Sequence, residues 1–348
     1  MALTYDLNVQ TFTPLLSPES LKEELPLTDK AKKTVIDGRR DIERILKGCD
    51  DRLLVIVGPC SIHDEESAME YAEKLKALSM KVNSTLCIVM RVYFEKPRTT
   101  VGWKGLINDP LLDSTCNIDH GLKKARKLLI NINHMGLPAA TEMLDPIIPQ
   151  YISGLISWCA IGARTTESQT HREMASGLSM PVGFKNSTDG SLSSAVNALE
   201  ACRSVQHFLG IDPAGKSSIV KTSGNKFGHI VLRGGIHPNY DPLSIEKTLD
   251  NLREKNLFEA VIVDCSHDNS GQNHEGQAHV FRTVLDQRIQ GNNGIKGVML
   301  ESHLFEGNQQ CSNNIEKLKY GVSITDKCIS WQKSEELLLT AHEKLKSG

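Results

Sequence analysis

What the chain has little of narrows its class quickly. Phe, Trp and Tyr make up only 5% of its 348 residues, and its longest apolar runs, such as Leu53 to Val57, are far too short to span a bilayer. Net charge is almost absent: 40 Lys and Arg stand against 42 Asp and Glu, a formal −2. A chain without a global basic field is not built to grip nucleic acid or an anionic membrane surface, so any anion it binds must be caught by a local cluster. Residues 1–12 have no basic stretch leading into an apolar one, so they are not expected to act as a secretory leader. No CxxC spacing occurs among the nine cysteines at 49, 60, 87, 116, 159, 202, 265, 311 and 328. An odd, scattered set suits reduced thiols, and the expectation is a cytoplasmic protein. What remains, 39% hydrophobic and 24% charged, is the composition of a globular chain with a sizeable core, neither disordered nor collagen-like.

Against that background eight short apolar segments recur: Leu53 to Val57, Cys87 to Val92, Ala139 to Met143, Ser157 to Ala163, Pro181 to Phe184, His229 to Leu232, Ala260 to Val263 and Ile295 to Leu300. Between them apolar residues fall three or four apart, as in Ala68, Tyr71, Ala72, Leu75 and Leu78, the spacing of a helix with one buried face. Alternation of strand and helix predicts a parallel sheet, and eight units predict a closed (β/α)8 barrel. A doubly wound open sheet is the other fold with this alternation, but no GxGxxG follows the first strand. The last helix is expected over Ser334 to Leu345. Residues 1–50, with a helix over Asp29 to Leu46, form an extension ahead of the barrel, which takes residues 51–348. Residues of about 205–224, two strand-like runs around Pro213-Ala-Gly-Lys216, read as a hairpin inserted between the fifth and sixth strands.

In such a barrel the active site is built where the strands end. The polar residue at or just past each predicted strand end is Cys60, Arg91, Glu142, Arg164, Lys185, Arg233, His267 and Glu301. Four of these are cations, joined by Lys96 and Arg98 in the loop Glu95-Lys-Pro-Arg-Thr-Thr. Guanidinium forks match carboxylate and phosphate oxygens, so the group predicts a substrate carrying both, or two phosphorylated substrates. Cys60, His267 and Glu301, with Asp326 after the last strand, form a mixed thiolate, imidazole and carboxylate set suited to Mn²⁺, Fe²⁺, Co²⁺ or Zn²⁺. Cys265 is a rival thiol, deeper in its strand by roughly 7 Å. Two other chemistries use the same residues: Cys60 as a nucleophile with His267 as its base, and Lys185 as a Schiff-base amine. Neighbouring carboxylates oppose the first, and the second leaves the metal-type residues without a purpose.

The words around these residues are long and specific. Gly58-Pro-Cys-Ser-Ile-His-Asp, Arg91-Val-Tyr-Phe-Glu-Lys-Pro-Arg-Thr-Thr-Val-Gly-Trp-Lys-Gly, Gly162-Ala-Arg-Thr-Thr-Glu-Ser-Gln, Pro181-Val-Gly-Phe-Lys-Asn, Leu232-Arg-Gly-Gly, Asp264-Cys-Ser-His, Glu301-Ser-His and Ser323-Ile-Thr-Asp closely resemble the type I alpha class of 3-deoxy-D-arabino-heptulosonate-7-phosphate (DAHP) synthases, from about residue 35 to 340. The resemblance implies a (β/α)8 barrel carrying an N-terminal extension and a hairpin. It implies condensation of phosphoenolpyruvate with erythrose 4-phosphate to DAHP and phosphate, the first step of the shikimate pathway. It implies a divalent metal on Cys60, His267, Glu301 and Asp326, phosphoenolpyruvate on Arg91, Lys96, Arg164, Lys185 and Arg233 with Glu142 adjoining, and the second phosphate on Arg98 and Thr99. Lys96, Glu142 and a metal-bound water are the candidates for moving protons. The family's extension and hairpin form a site for an aromatic amino acid and help build a dimer or tetramer. Asn8, Gln150, Ser179, Phe208 and Gly210 fall at similar positions, and the absence of a side chain at Gly210 leaves room for a para-hydroxyl, so tyrosine is the favoured effector. The sequence departs from the family in Ser187, where Gly is usual. A synthase using arabinose 5-phosphate and a catalytically inert amino-acid sensor are the alternative readings.

Overall fold

The computed structural model describes residues 4–312 and 315–347. Before the barrel come α1 (Pro18–Glu24), which the sequence reading missed, and α2 (Asp29–Leu46), which it placed correctly. α1 escaped notice because seven residues carry too little apolar periodicity; its start is nonetheless marked by Pro18 and by Ser17, whose hydroxyl accepts from the Ser20 N–H. α2 begins at Thr28, whose side chain accepts from the Ala31 N–H, and buries Ala31, Val35, Gly38, Ile42 and Ile45, one face of the helix.

The barrel follows as β1 (Leu53–Gly58), α3 (Glu65–Val82), β2 (Leu86–Arg91), α4 (Ile118–His134), β3 (Ala139–Glu142), the single turn α5 (Pro149–Ile152), β4 (Trp158–Ile161), α6 (Gln169–Gly177), β5 (Val182–Lys185) and α7 (Ser193–Arg203). A hairpin of β6 (His207–Ile211) and β7 (Ser217–Lys221) interrupts the alternation. The chain then returns through β8 (Gly228–Leu232), α8 (Pro242–Glu254), β9 (Val261–Asp264), α9 (Gly276–Ile289), β10 (Ile295–His303), the two-residue β11 (Ile329–Ser330) and α10 (Trp331–Ser347). The barrel strands run in the order β1-β2-β3-β4-β5-β8-β9-β10, and β10 pairs back onto β1. All eight pairings are parallel, and at the closing seam Leu54 faces Gly297 while Gly58 faces Glu301. This is a (β/α)8 barrel.

Every residue of β1 is buried, yet its side chains still sort by alternation. Leu53, Val55 and Val57 join the large apolar layer under the helices, whereas Leu54 and Ile56 turn inward with Val89, Trp158, Ile262 and Met299. At the amino ends of the strands α2 closes the barrel: its Ile42, Ile45 and Leu46 belong to the inner cluster. Burying each such side chain contributes about 1.5–3 kcal/mol. The hairpin pairs His207 with Lys221 and Ile211 with Ser217 around a turn at Gly215, whose positive φ of 80° suits glycine. Among the described residues no helix is long and apolar enough to cross a membrane.

Candidate active site

A cavity of about 390 Å³ opens at the carboxyl ends of the strands, lined among others by Lys96, Arg164, Lys185, Arg233, His267 and Glu301. Arg98, Glu142 and Asp326 also line it. Six of the eight residues predicted at the strand ends therefore line one mouth, while Cys60 and Arg91 are buried behind it. Arg91 is only 1% exposed and lies beneath the cavity floor, its guanidinium 3.9 Å over the Tyr93 ring and 2.9 Å from Glu301 Oε1. Thr99 lies on the exposed loop outside the lining.

Cys60 Sγ, Glu301 and Asp326 come together with their ligand atoms within 4.8 Å of one another. β1 delivers Cys60 just past its end. β10 delivers Glu301, whose backbone is held on both sides by the Gln277 side-chain amide, which donates to its carbonyl at 3.0 Å and accepts from its N–H at 2.9 Å. Asp326 comes from the loop that ends in β11, tied down by the Ser61–Thr325 hydroxyl pair at 2.7 Å. His267 stands beside the group rather than in it, with Nε2 3.8 Å from Glu301 Oε1. Its φ of +56° is rare for a side chain of this size and turns the imidazole toward the cavity. The rival thiol, Cys265, faces the outer apolar layer and does not approach the cluster.

Burial and the nearby Glu301 charge push the Cys60 thiol up to about 12. Its S–H points at Asp326 Oδ2 at 3.2 Å, and Lys96 Nζ donates to the same sulfur at 3.0 Å. Burial would lower Lys96, but Cys60, Asp326 and the other carboxylates hold it above its ordinary value. Burial would raise Asp326, yet the Lys96 and His267 charges and the Cys60 hydrogen bond bring it down to about 2. A neutral thiol under acidic neighbours is a poor nucleophile. A divalent cation reverses that balance, since it favours the thiolate and neutralises both carboxylates, so the donor set fits such an ion. A buried thiol beside two carboxylates and an imidazole is a mixed sulfur, oxygen and nitrogen set of that class.

The cations are less naked than their sequence positions suggest. Lys185 Nζ is 2.8 Å from Asp264 Oδ2, Arg233 is paired with Asp268, and Arg91 with Glu301. Strand ends and loops bring anions of their own to these cations, because buried charge without a partner is costly. Arg164 is exposed and donates to the Pro97 carbonyl at 3.2 Å. Arg233 is placed by Asn186, which accepts from the Arg233 N–H and donates to the Gly234 carbonyl. Glu142 is buried with Oε1 lacking a hydrogen-bond partner. A Cβ at Gly162 would meet that oxygen at 2.3 Å, so glycine is needed there.

Sequence reasoning missed two buried acids. Asp264 ends β9 with no exposure; burial would raise it, but the His267, Lys185 and Arg91 charges keep it well below the usual carboxylate range. Its signal was present in Asp264-Cys-Ser-His. Glu95, beside Lys96, accepts from the Leu144 and Asp145 N–H groups and is pushed up to about 8 by burial and the Asp145 charge.

Of the residues assigned to an effector, Phe208 and Gly210 lie on one face of β6. A Cβ on Gly210 would stand 2.8 Å from Val220 Cγ2 across the hairpin. Asn8 lies on the exposed N-terminal segment, Gln150 in α5 and exposed Ser179 before β5. Among the described residues no hydrogen bond joins these three to the hairpin strand β6.

A parallel barrel whose mouth gathers lysines and arginines beside a thiol–carboxylate cluster is an enzyme scaffold for small anionic substrates. Comparison with known proteins narrows that class. The chain belongs to the DAHP synthetase I family, which matches residues 24–339. It is 52% identical over 331 residues to the Tyr-sensitive phospho-2-dehydro-3-deoxyheptonate aldolase of Escherichia coli K12, covering 95% of this chain and 93% of the relative. The Phe-sensitive enzyme of that organism is 53% identical over 333 residues (96% and 95% covered), and the Trp-sensitive one 50% over 348 (100% and 99%). The solved structure of a phospho-2-dehydro-3-deoxyheptonate aldolase from Francisella tularensis SCHU S4 superposes with a TM-score of 0.95 at 45% identity, covering 97% of this chain and 99% of that one.

Proposed function

We propose that this chain condenses phosphoenolpyruvate with erythrose 4-phosphate and water to give DAHP and inorganic phosphate. The observation that carries the reading is that Lys96, Arg164, Lys185 and Arg233 line one cavity with Glu301 and Asp326, which the buried Cys60 joins from behind to complete the cluster. The names of the relatives supply the reaction class. Lys185, Arg164 and Arg233 bind the phosphate and carboxylate of phosphoenolpyruvate, Arg91 supports them from below, and Arg98 with Thr99 takes the sugar phosphate. A divalent cation on Cys60, His267, Glu301 and Asp326, of the Mn²⁺, Fe²⁺, Co²⁺ or Zn²⁺ type, would supply a Lewis acid for the aldehyde oxygen.

The C3 enol carbon attacks the aldehyde carbon, whose oxygen gains a proton. Water adds at C2, and the C2–O bond to phosphate breaks, leaving the water oxygen as the ketone. Lys96, held cationic, is placed to supply the proton to the aldehyde oxygen. Glu142, with its unpartnered Oε1, accepts one proton of the attacking water, and the second passes to the departing phosphate as the C2–O bond breaks. The convergent cations stabilise the anions throughout.

The N-terminal 50 residues and the hairpin serve regulation and assembly in this reading. An aromatic amino acid, tyrosine in preference, binds at Asn8, Gln150, Ser179, Phe208 and Gly210 in a homodimer or homotetramer. Relatives sensitive to Tyr, Phe and Trp stand at nearly equal identity, so the preference for tyrosine rests on the room at Gly210 and on Asn8 as a partner for the para-hydroxyl. A cytoplasmic setting goes with nine free cysteines. The test is loss of phosphoenolpyruvate when purified protein meets erythrose 4-phosphate with Mn²⁺, with a chelator, and with arabinose 5-phosphate substituted. Chelator-sensitive consumption with the four-carbon sugar alone is expected. No consumption after metal repletion overturns the reading in favour of an inert sensor.

A further inference from the structure

Asp264 has no place in the reaction as written, yet it is fully buried and engaged through both oxygens. Oδ1 accepts from the Ser266 N–H at 3.1 Å and from the Ser266 hydroxyl at 2.6 Å. Oδ2 accepts from Lys185 Nζ at 2.8 Å and lies 2.9 Å from His267 Nδ1. With the Ser266 hydroxyl donating to Oδ1, Nδ1–H faces two acceptors, the Ser266 oxygen at 2.8 Å and Asp264 Oδ2 at 2.9 Å. Nε2 is therefore left as a lone pair facing Glu301 and the thiol–carboxylate cluster. One oxygen thus serves two donors, one on the anion-binding lysine and one on the metal-facing histidine.

We propose that Asp264 is a positioning residue that couples the two halves of the site, so that phosphoenolpyruvate and the divalent cation each tighten the binding of the other. The inference rests on the reading of Lys185 and His267 given above. Its physics is competition for a single acceptor. A substrate anion that draws Lys185 toward itself leaves more of the Oδ2 charge to His267, making Nε2 a better donor to a cation. A cation on Nε2 polarises the imidazole, so that Nδ1–H binds Oδ2 more strongly and Lys185 is freed for the substrate. No proton leaves any of the three groups. Linkage requires the two effects to be equal.

The test uses the full-length protein stripped of metal and titrated with Co²⁺, read by the thiolate-to-metal absorption of Cys60, with and without phosphoenolpyruvate. In the parent protein the substrate should tighten Co²⁺ binding by about five-fold or more. In Asp264→Asn the affinity for Co²⁺ alone should fall about 10- to 100-fold, and the ratio with and without substrate should collapse to near one. If Asp264→Asn does not fold, Ser266→Ala, which removes the hydroxyl from both Oδ1 and His267 Nδ1 and keeps the Ser266 N–H bond to Oδ1, should at least halve the coupling ratio. A variant that keeps the parental ratio, or a parent protein showing no coupling, overturns the inference while leaving the site intact. A parent protein that gives no thiolate absorption with Co²⁺ overturns the metal reading beneath it.

Discussion

The two ends of the barrel are built from the same eight strands and could hardly differ more. At the foot α2 seals the strands with Ile42, Ile45 and Leu46, and inside the barrel Trp158 Nε1 donates to His229 Nε2 at 3.0 Å. Burial brings that histidine down to about 4, so it serves as a neutral acceptor. At the mouth charged side chains gather, several are paired, Glu142 Oε1 has no hydrogen-bond partner, and His267 holds a backbone conformation that costs energy. The foot supplies stability that the mouth consumes. A side chain of the foot should therefore matter to folding and not to chemistry, and one of the mouth the reverse.

The sharpest way to break that contrast is Cys60→Ala, which should abolish thiolate absorption with Co²⁺ and lower turnover by at least about 10³-fold, with little change in melting temperature of the metal-free protein. Full activity after metal repletion would remove Cys60 from the ligands. Arg164→Ala comes next: exposed and without a carboxylate partner, it should raise KM for phosphoenolpyruvate by about 10- to 100-fold, the worth of a charge-assisted hydrogen bond or two, and leave melting unchanged. At the foot, Ile42→Ala should cost about 2–4 kcal/mol in denaturant unfolding with the turnover of folded protein preserved.

Glu95 tests the mouth's cost directly. Its folded value of about 8 lies above that of an unfolded glutamate, so the folded chain holds an extra proton between. Stability from this group is full below about pH 4.5 and is lost as pH rises through 8. Glu95→Gln should flatten that decline in melting temperature between pH 5 and 8; an unchanged slope would mean that another group carries it. The smallest effect is expected at the hairpin, where Gly210→Ser should weaken tyrosine inhibition by a few-fold and must displace Val220 to do so.

The barrel was legible because short apolar segments, most of them rich in Val, Ile and Leu, alternate with helix-spaced stretches, and α2 because Thr28 caps a long apolar face. α1 and β11 were not, since seven and two residues carry no period. Within the site, strand ends pointed to the cations and to the thiol, histidine and carboxylates that the fold brings near one another. Their pairing was illegible: that Lys185 meets Asp264 and Arg233 meets Asp268 depends on which neighbours the strand register and the following loops bring alongside. The rival thiol Cys265 was settled only by the direction its side chain takes.

The closing seam has a consequence for how the molecule comes into being. β1 and β10 lie at opposite ends of the chain, and Gly58 sits opposite Glu301. During synthesis the strands from β1 to β9 can join one after another, but β1 keeps an open edge until roughly the last fifty residues appear. Cys60 rides on that edge, and its partners Glu301 and Asp326 arrive with the strand that shuts it. The cluster is thus assembled by the final act of folding, and a cation caught there would clasp the first strand to the last.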